Sequence, residues 1–280
     1  MRFVTPSVFH IARTHTIEKG INDYLDHIGA GDWSTDAKSQ AELLVEIAGR
    51  RCYKSFGTGL NPNITKVREG NHLYIGNILN TKHGSVIEHA TDTFAFEDLS
   101  RIATHEIVRH RICSFSQESM RFVRPTDLST LFPQVYTDHL PAEKAQQVKD
   151  LFRETVEHLE GVQGALIDIC GMDDPDLSFK VKKLFQSANR RLIHDGQTTG
   201  IITTHNHRTA RFIIQQRTSM GAEEEVRYIY AQVAHILEKE YPALYQDMFN
   251  PSQDEDGMQP VGDTIYGVFV PELRFRNEKV

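Results

Sequence analysis

Residues 109–124 read RHRICSFSQESMRFVR, the densest polar stretch of the chain. Arginines stand at 109, 111, 121 and 124, and His110, three serines, Gln117 and Glu118 lie between them. Too few positions are apolar for an ordinary core element. A guanidinium presents a planar fork of donors that matches phosphate oxygens. Two readings stand side by side: a solvated basic face and an anion-binding site.

The flanking sequence sets this stretch among helices and strands. Upstream, the run 90–96, ATDTFAF, alternates and predicts a strand. Ser100 is the expected cap of a helix reaching about 109. A helix is predicted over 35–51, capped by Ser34 or Thr35, with Ala41, Leu44, Val45 and Ala48 at helical spacing. A loop at 57–63 and a short helix at 72–80 follow. Downstream, 141–169 carries the strongest helical stripe, with Leu151, Val156, Leu159, Val162 and Leu166, and its Pro sits where a first turn tolerates one. The break GMDDPD at 171–176 leads to a helix at 177–190. The β-branched run 198–204 predicts a strand. Asn206 is the expected cap of a helix through Arg217, and another helix covers 222–241. An extended tail from 250 holds a strand at 264–270. The pattern is α+β, without repeats or a linker, and predicts a single domain over 1–280.

Composition narrows the function. The chain has 280 residues, 39% hydrophobic and 25% charged, with a formal net charge of −7. That balance opposes a general nucleic-acid binder, which needs a basic surface. Phe115 and Phe122 beside the arginines would suit base stacking, but a defined anion pocket explains the cluster better. No apolar run approaches the roughly 20 residues of a membrane span. The N-terminal sequence lacks a signal-peptide core. Cys52, Cys113 and Cys170 are odd in number and far apart, which predicts a reducing compartment and a cytoplasmic location. Among 14 histidines, His105 and His110 resemble a zinc-binding HExxH pair but are one residue too far apart. Five residues along a helix is about 140° around it, so no metal site is expected. His205 and His207 read as residues of a helix-cap region.

The order Arg109-His110-Arg111, seven residues, Ser119, then Arg121 and Phe122, resembles the signature of the flavin-dependent thymidylate synthases. Two further blocks agree in order. One is His83-Gly84-Ser85-Val86-Ile87-Glu88-His89, followed by Phe94 and Phe96. The other runs from Arg190 through Asn206, Arg208 and Arg217 to Ala222-Glu223-Glu224-Glu225-Val226-Arg227. The resemblance covers about 48–248. It implies a central, mostly antiparallel sheet flanked by long helices. It implies a homotetramer with each flavin at a subunit interface. The implied reaction passes a methylene group from methylenetetrahydrofolate to carbon 5 of dUMP, with hydride from FAD that NADPH recharges.

The resemblance also assigns residues. Glu106, Arg109, Gln117, Ser119, Met120, Arg121, Arg190 and Arg217 would contact dUMP, with Arg217 and Ser119 closest to the chemistry. A cation at Arg217 would stabilise charge building on the ring. His83, Ser85, Glu88, His110, Arg111, Ile112, Asn206, Arg208 and Phe212 would hold FAD. The flavin carries the hydride chemistry, so no protein thiolate is needed. None of the cysteines follows a proline, as the cysteine-dependent thymidylate synthases require. Five positions depart from the family's usual residues. Glu106 stands for Gln, Phe212 for His or Asn, His194 for Pro, and Ser116-Gln117 for an Asn-Glu pair.

Overall fold

A computed structural model describes residues 1–57, 60, 67–124, 128–251 and 259–277. The chain begins with β1 (Arg2–Phe3), β2 (Ser7–Arg13), α1 (Glu18–His27), α2 (Gln40–Tyr53) and α3 (Asn71–Asn80). A 3-10 turn at Gly84–Glu88 leads to β3 (Thr91–Ser100), α4 (Arg101–Ile107), β4 (Ser114–Gln117), β5 (Ser129–Thr130) and α5 (Val135–His139). The long α6 (Ala142–Ile169) and α7 (Phe179–Asn189) precede a 3-10 turn at Arg190–Leu192. Then come β6 (Thr198–Asn206), α8 (His207–Arg217), α9 (Glu224–Glu240), β7 (Met248–Phe249), β8 (Gly262–Ile265), β9 (Val268–Pro271) and β10 (Arg274–Phe275).

The main sheet has the order β2-β3-β6-β4, with antiparallel neighbours throughout. Its two faces differ. Phe94, Phe96 and Ile201 point into the core, where α2, α3, α8 and α9 close over them. Successive strand residues point to opposite faces. Phe9, Ala95, Ile202 and Ser116 therefore share the other face, in register across all four strands. There Phe9 is 51% and Ile202 41% exposed.

The predicted strands at 91–96 and 198–204 are β3 and β6, and the helix mixture is α+β as expected. The caps at Ser100 and Asn206 are present: Ser100 Oγ accepts from Ala103 N at 3.0 Å and Asn206 Oδ1 from Thr209 N at 2.9 Å. Helix α2 starts later than predicted. Its cap is Ser39, whose Oγ accepts from Glu42 N at 3.1 Å, while Thr35 donates to Glu46 at 2.5 Å. The strand expected at 264–270 is a hairpin, because Tyr266 and Gly267 both adopt positive φ and turn the chain. β2 and α1, in the first forty residues, were not predicted, nor was β4 inside the arginine-rich stretch. The loop expected at 57–63 lies mostly outside the described residues. No helix among them is long and apolar enough to cross a membrane.

Candidate active site

Helix α4 is anchored at its start. The buried Glu225 carboxylate on α9 accepts from Ser100 N at 2.6 Å and from Ser100 Oγ at 2.5 Å. Burial outweighs those bonds and pushes Glu225 up to about 7. This anchor fixes the last turn of α4, which carries Glu106, and the turn beyond it, which carries His110.

Helix α8 meets that turn with Arg217. Arg217 Nε donates to His110 Nε2 at 2.8 Å, Nη2 donates to the Glu106 carbonyl at 3.0 Å, and Nη1 pairs with the Glu106 carboxylate. Three donors of one guanidinium are thus fixed from α4 and the turn after it. Burial, reinforced by Arg217, pushes His110 down to about 4. Phe212, half exposed on α8, meets the His110 ring edge-on at 6.1 Å. On β4, Gln117 Nε2 donates to Thr104 Oγ1 at 3.0 Å, tying the strand to α4.

A second group forms where β4 ends. The Ser119 carbonyl accepts from Phe122 N at 2.9 Å and Val123 N at 3.0 Å, closing a turn that presents Met120 and Arg121. Gln186 on α7 donates from Nε2 to the Met120 and Val123 carbonyls at 3.4 and 3.3 Å. Arg190 lies one helical turn beyond Gln186, so α7 holds Arg190 on the side facing this turn. Arg109, Arg111, Arg121 and Arg190 are exposed and make no ion pair with a described residue. Ile112 is 75% exposed beside them.

The third group sits at the other end of α8. The His83 ring stacks on Tyr53 at 5.4 Å, and Arg208 pairs with Glu88 at 2.6 Å. Lys82, His83, Gly84, Arg208 and Asn277 line a small cavity there. Gly84 lets Arg208 approach closely: a Cβ on it would come within 3.0–3.4 Å of the Arg208 side chain. Ser85 is exposed on the same 3-10 turn, and Asn206 spends its side chain on the α8 cap. Among the described residues no hydrogen bond joins the three groups directly. Helix α8 links the first and third through Arg208, Phe212 and Arg217.

His205 and His207 flank the Asn206 cap as expected, His207 as the first residue of α8, and both are buried. His205 faces the core from β6, stacked on Phe94 at 5.7 Å, and His207 opens α8 fully buried. They flank Asp92, which accepts from His10 at 2.8 Å and from the Tyr241 hydroxyl at 2.6 Å. His207 Nε2 lies 3.3 Å from Asp92, and its Nδ1 lies 3.1 Å from the Tyr245 hydroxyl. The signal was available, because 201, 203 and 205 share one face of a strand. Among the described residues no group of three or more His, Cys, Asp or Glu side chains is placed to hold a metal ion.

The family model for the thymidylate synthase complementing protein matches residues 35–243. A flavin-dependent thymidylate synthase of Corynebacterium diphtheriae is 34% identical over 81% of this chain and 86% of its own. One from Mycobacteroides abscessus is 34% identical over 77% and 82%. One from Mycobacterium tuberculosis is 32% identical over 77% and 82%. With the match spanning well over half its length, the chain belongs to the thymidylate synthase complementing protein family of methyltransferase enzymes.

Proposed function

We propose that the chain is a flavin-dependent thymidylate synthase that methylates dUMP, with methylenetetrahydrofolate as carbon donor and FAD recharged by NADPH. The observation that carries this reading is the clamp of Arg217 by Glu106 and His110. A guanidinium held on three donors is a preorganised cation, and it loses little freedom when negative charge develops beside it. Neutral His110 adds no competing positive charge. Glu106, where the family usually has Gln, supplies an ion pair to the same arginine.

In this reading Arg109, Arg121 and Arg190 hold the nucleotide phosphate. Exposed arginines without a carboxylate partner among the described residues form a local positive patch that a phosphate would neutralise. Backbone N–H groups at Ser119 and Met120 would share that load. Gln117, fixed by Thr104, would face the pyrimidine edge, and Ser119 would lie beside the ring. Arg217 would stabilise the charge on the uracil as carbon 5 becomes nucleophilic. Burial pushes Cys113, the signature's only thiol, up to about 11, which argues against a protein thiolate.

The residues of the third group fit a flavin dinucleotide. Lys82, His83 and Arg208 around the bare Gly84 backbone suit a diphosphate. Ser85, Glu88, Asn206, Phe212, His110, Arg111 and Ile112 would complete the cofactor's surroundings. When bound, the flavin supplies the hydride that reduces the transferred methylene group to methyl. The cavity within one chain is about 20 Å³, room for roughly one water. A flavin would extend beyond it, and in a homotetramer a second chain would cover the rest. The exposed apolar face of the sheet offers a surface for that contact. We also read 1–280 as one domain, since β2 from the first forty residues completes the main sheet. All three cysteines are free, in keeping with a reducing cytoplasm.

Tritium release from dUMP labelled at carbon 5 tests the function, with and without methylenetetrahydrofolate and NADPH. Release that needs both, from a yellow protein, is the expected result. A colourless protein without release overturns the proposal.

A further inference from the structure

The segment 273–277 lies beyond the matched 35–243, yet it runs along the back of α8 from its C-terminal end toward its N-terminal end. Leu273 N donates to Thr218 Oγ1 at 3.0 Å, and the Thr218 hydroxyl donates to the Ile214 carbonyl at 2.8 Å. Phe275 N donates to Gln215 Oε1 at 3.2 Å. The Phe275 ring lies under the buried Arg211 guanidinium at 4.1 Å. Arg211 is held by both oxygens of Asp247, at 2.7 and 2.8 Å. The chain returns to Asp247 through Arg276 N, which donates to its carbonyl at 3.1 Å, and Asn277 N, which donates to its carboxylate at 3.2 Å. Asn277 then lines the cavity beside His83 and Arg208. β10 is further pinned by antiparallel pairing to β7.

Arg217 lies well round α8 from 211, 215 and 218, whereas Arg208, seven residues before Gln215, is close to the strap's own side. One element therefore grips the helix at 211, 215 and 218 and leaves the side that carries Arg217 open. Thr218 is the tightest point, because it follows Arg217 directly and is fully buried. Its single hydroxyl joins the strap backbone to the last turn of the helix. A helix end is where backbone groups lose their own partners and fray. A shift of about 1 Å there is enough to misplace a guanidinium for catalysis.

We propose that residues 273–277 form a positioning strap for Arg217, acting through Thr218 and Gln215. This rests on the reading of Arg217 as the uracil-side cation. Thr218 touches no substrate in this scheme; it sets where Arg217 stands when dUMP arrives.

The test uses the full-length flavin-loaded protein. Thr218→Val keeps the shape but removes the hydroxyl, and Thr218→Ser keeps the hydroxyl. Flavin content, melting temperature, dUMP affinity by calorimetry, and kcat with KM from tritium release are measured for each. The expected result is that Thr218→Val retains flavin and loses at least tenfold in dUMP affinity or kcat, while Thr218→Ser stays within threefold of the parent. Parental dUMP affinity and kcat, within twofold, in folded Thr218→Val overturn the strap. An equal loss in Thr218→Ser overturns it too, because the effect would then be packing. Should Thr218→Val not fold, Gln215→Met is read the same way, and parental kinetics there overturn the proposal. A parent chain that binds neither flavin nor dUMP defeats the functional reading itself, and the strap falls with it.

Discussion

Arg217 Nε lies 2.8 Å from His110 Nε2. An arginine Nε–H can only donate, so His110 Nε2 is the acceptor and the ring proton sits on Nδ1. The preference of His110 for the neutral form agrees with this direction. The pair joins two signature blocks 107 residues apart in sequence. It also explains why the clamp on Arg217 leaves no donor of the histidine facing it.

Arg217→Lys should fold and keep its flavin but lose catalysis. A lysine can pair with Glu106, yet it lacks the fork that reaches His110 and the Glu106 carbonyl together. Losing one or two charge-assisted bonds costs about 1.5–3 kcal/mol, roughly ten- to a hundredfold in kcat/KM. Tritium release from dUMP measures it. A value within twofold of the parent would remove Arg217 from the chemistry.

Arg121→Ala should weaken dUMP binding about ten- to a hundredfold, the weight of one charge-assisted phosphate contact, with flavin content unchanged. Arg124→Ala is the control. Arg124 is already engaged by Asp173 at 2.5 Å and the Met172 carbonyl at 2.9 Å, so it is not a free phosphate donor. Its loss should leave dUMP affinity within threefold. Calorimetric titration separates the two, and equal affinities for both variants would contradict the assignment.

Much of the fold was legible because its signals are local. The alternation of Phe94 and Phe96, the caps at Ser100 and Asn206, and the stripe of α6 each state their structure within a few residues. β4 was not legible, since 114–117 has little apolar character and becomes a strand by pairing with β6. The order of Arg109, Ser119, Arg190 and Arg217 named candidate site residues, but not which of them the fold brings together. Arg217 meets His110 across 107 residues, and the start of α4 is held by Glu225 across 125. Periodicity carries no such information. The buried Asp92 cluster was missed for a related reason. The cap at Asn206 placed the adjacent histidines in a helix-cap region, where they stand, but a cap carries no information on burial, and the strand pattern that turns His205 inward does.

That cluster predicts acid sensitivity. Burial pushes His205 and His207 down to about 4, from an ordinary value near 6.5, with nearby Asp92 only partly opposing it. The unfolded chain then binds protons that the folded one refuses. Stability is fully present above pH 6.5 and is lost as pH falls toward 4. Each histidine should cost about 2 kcal/mol between pH 6.5 and 5. Asp92 is held below the usual carboxylate range by His10, His207 and Tyr241 despite its burial, so its own loss comes at lower pH. Both ring nitrogens of His205 are buried without a hydrogen-bond partner among the described residues, so His205→Leu strands none of them. Denaturant melts at pH 7.5, 6 and 5 should show a shallower dependence of stability on pH in His205→Leu than in the parent. An unchanged slope would mean that the buried histidines do not control acid stability.

The outer face of the sheet carries the last prediction. Phe9, Ala95, Ile202 and Ser116 lie in one register row, and Ile11 is 52% exposed next to them. A half-exposed apolar row is a surface that gains by being covered. If a second copy covers it and so completes each flavin site, a buried carboxylate there is costly, while an exposed one on a free chain is not. Ile202→Glu should therefore leave the monomer's melting temperature nearly unchanged. It should lower the sedimenting mass and the bound flavin together, because a ligand that binds only the assembled form is lost with it. Sedimentation at several protein concentrations, read at the flavin band and at 280 nm, follows both at once. A flavin-loaded, active monomer defeats the shared site. A variant that keeps the parent's mass and flavin moves the interface to another face, and the arginine-rich surface around Ile112 and Phe122 becomes the next place to put the charge.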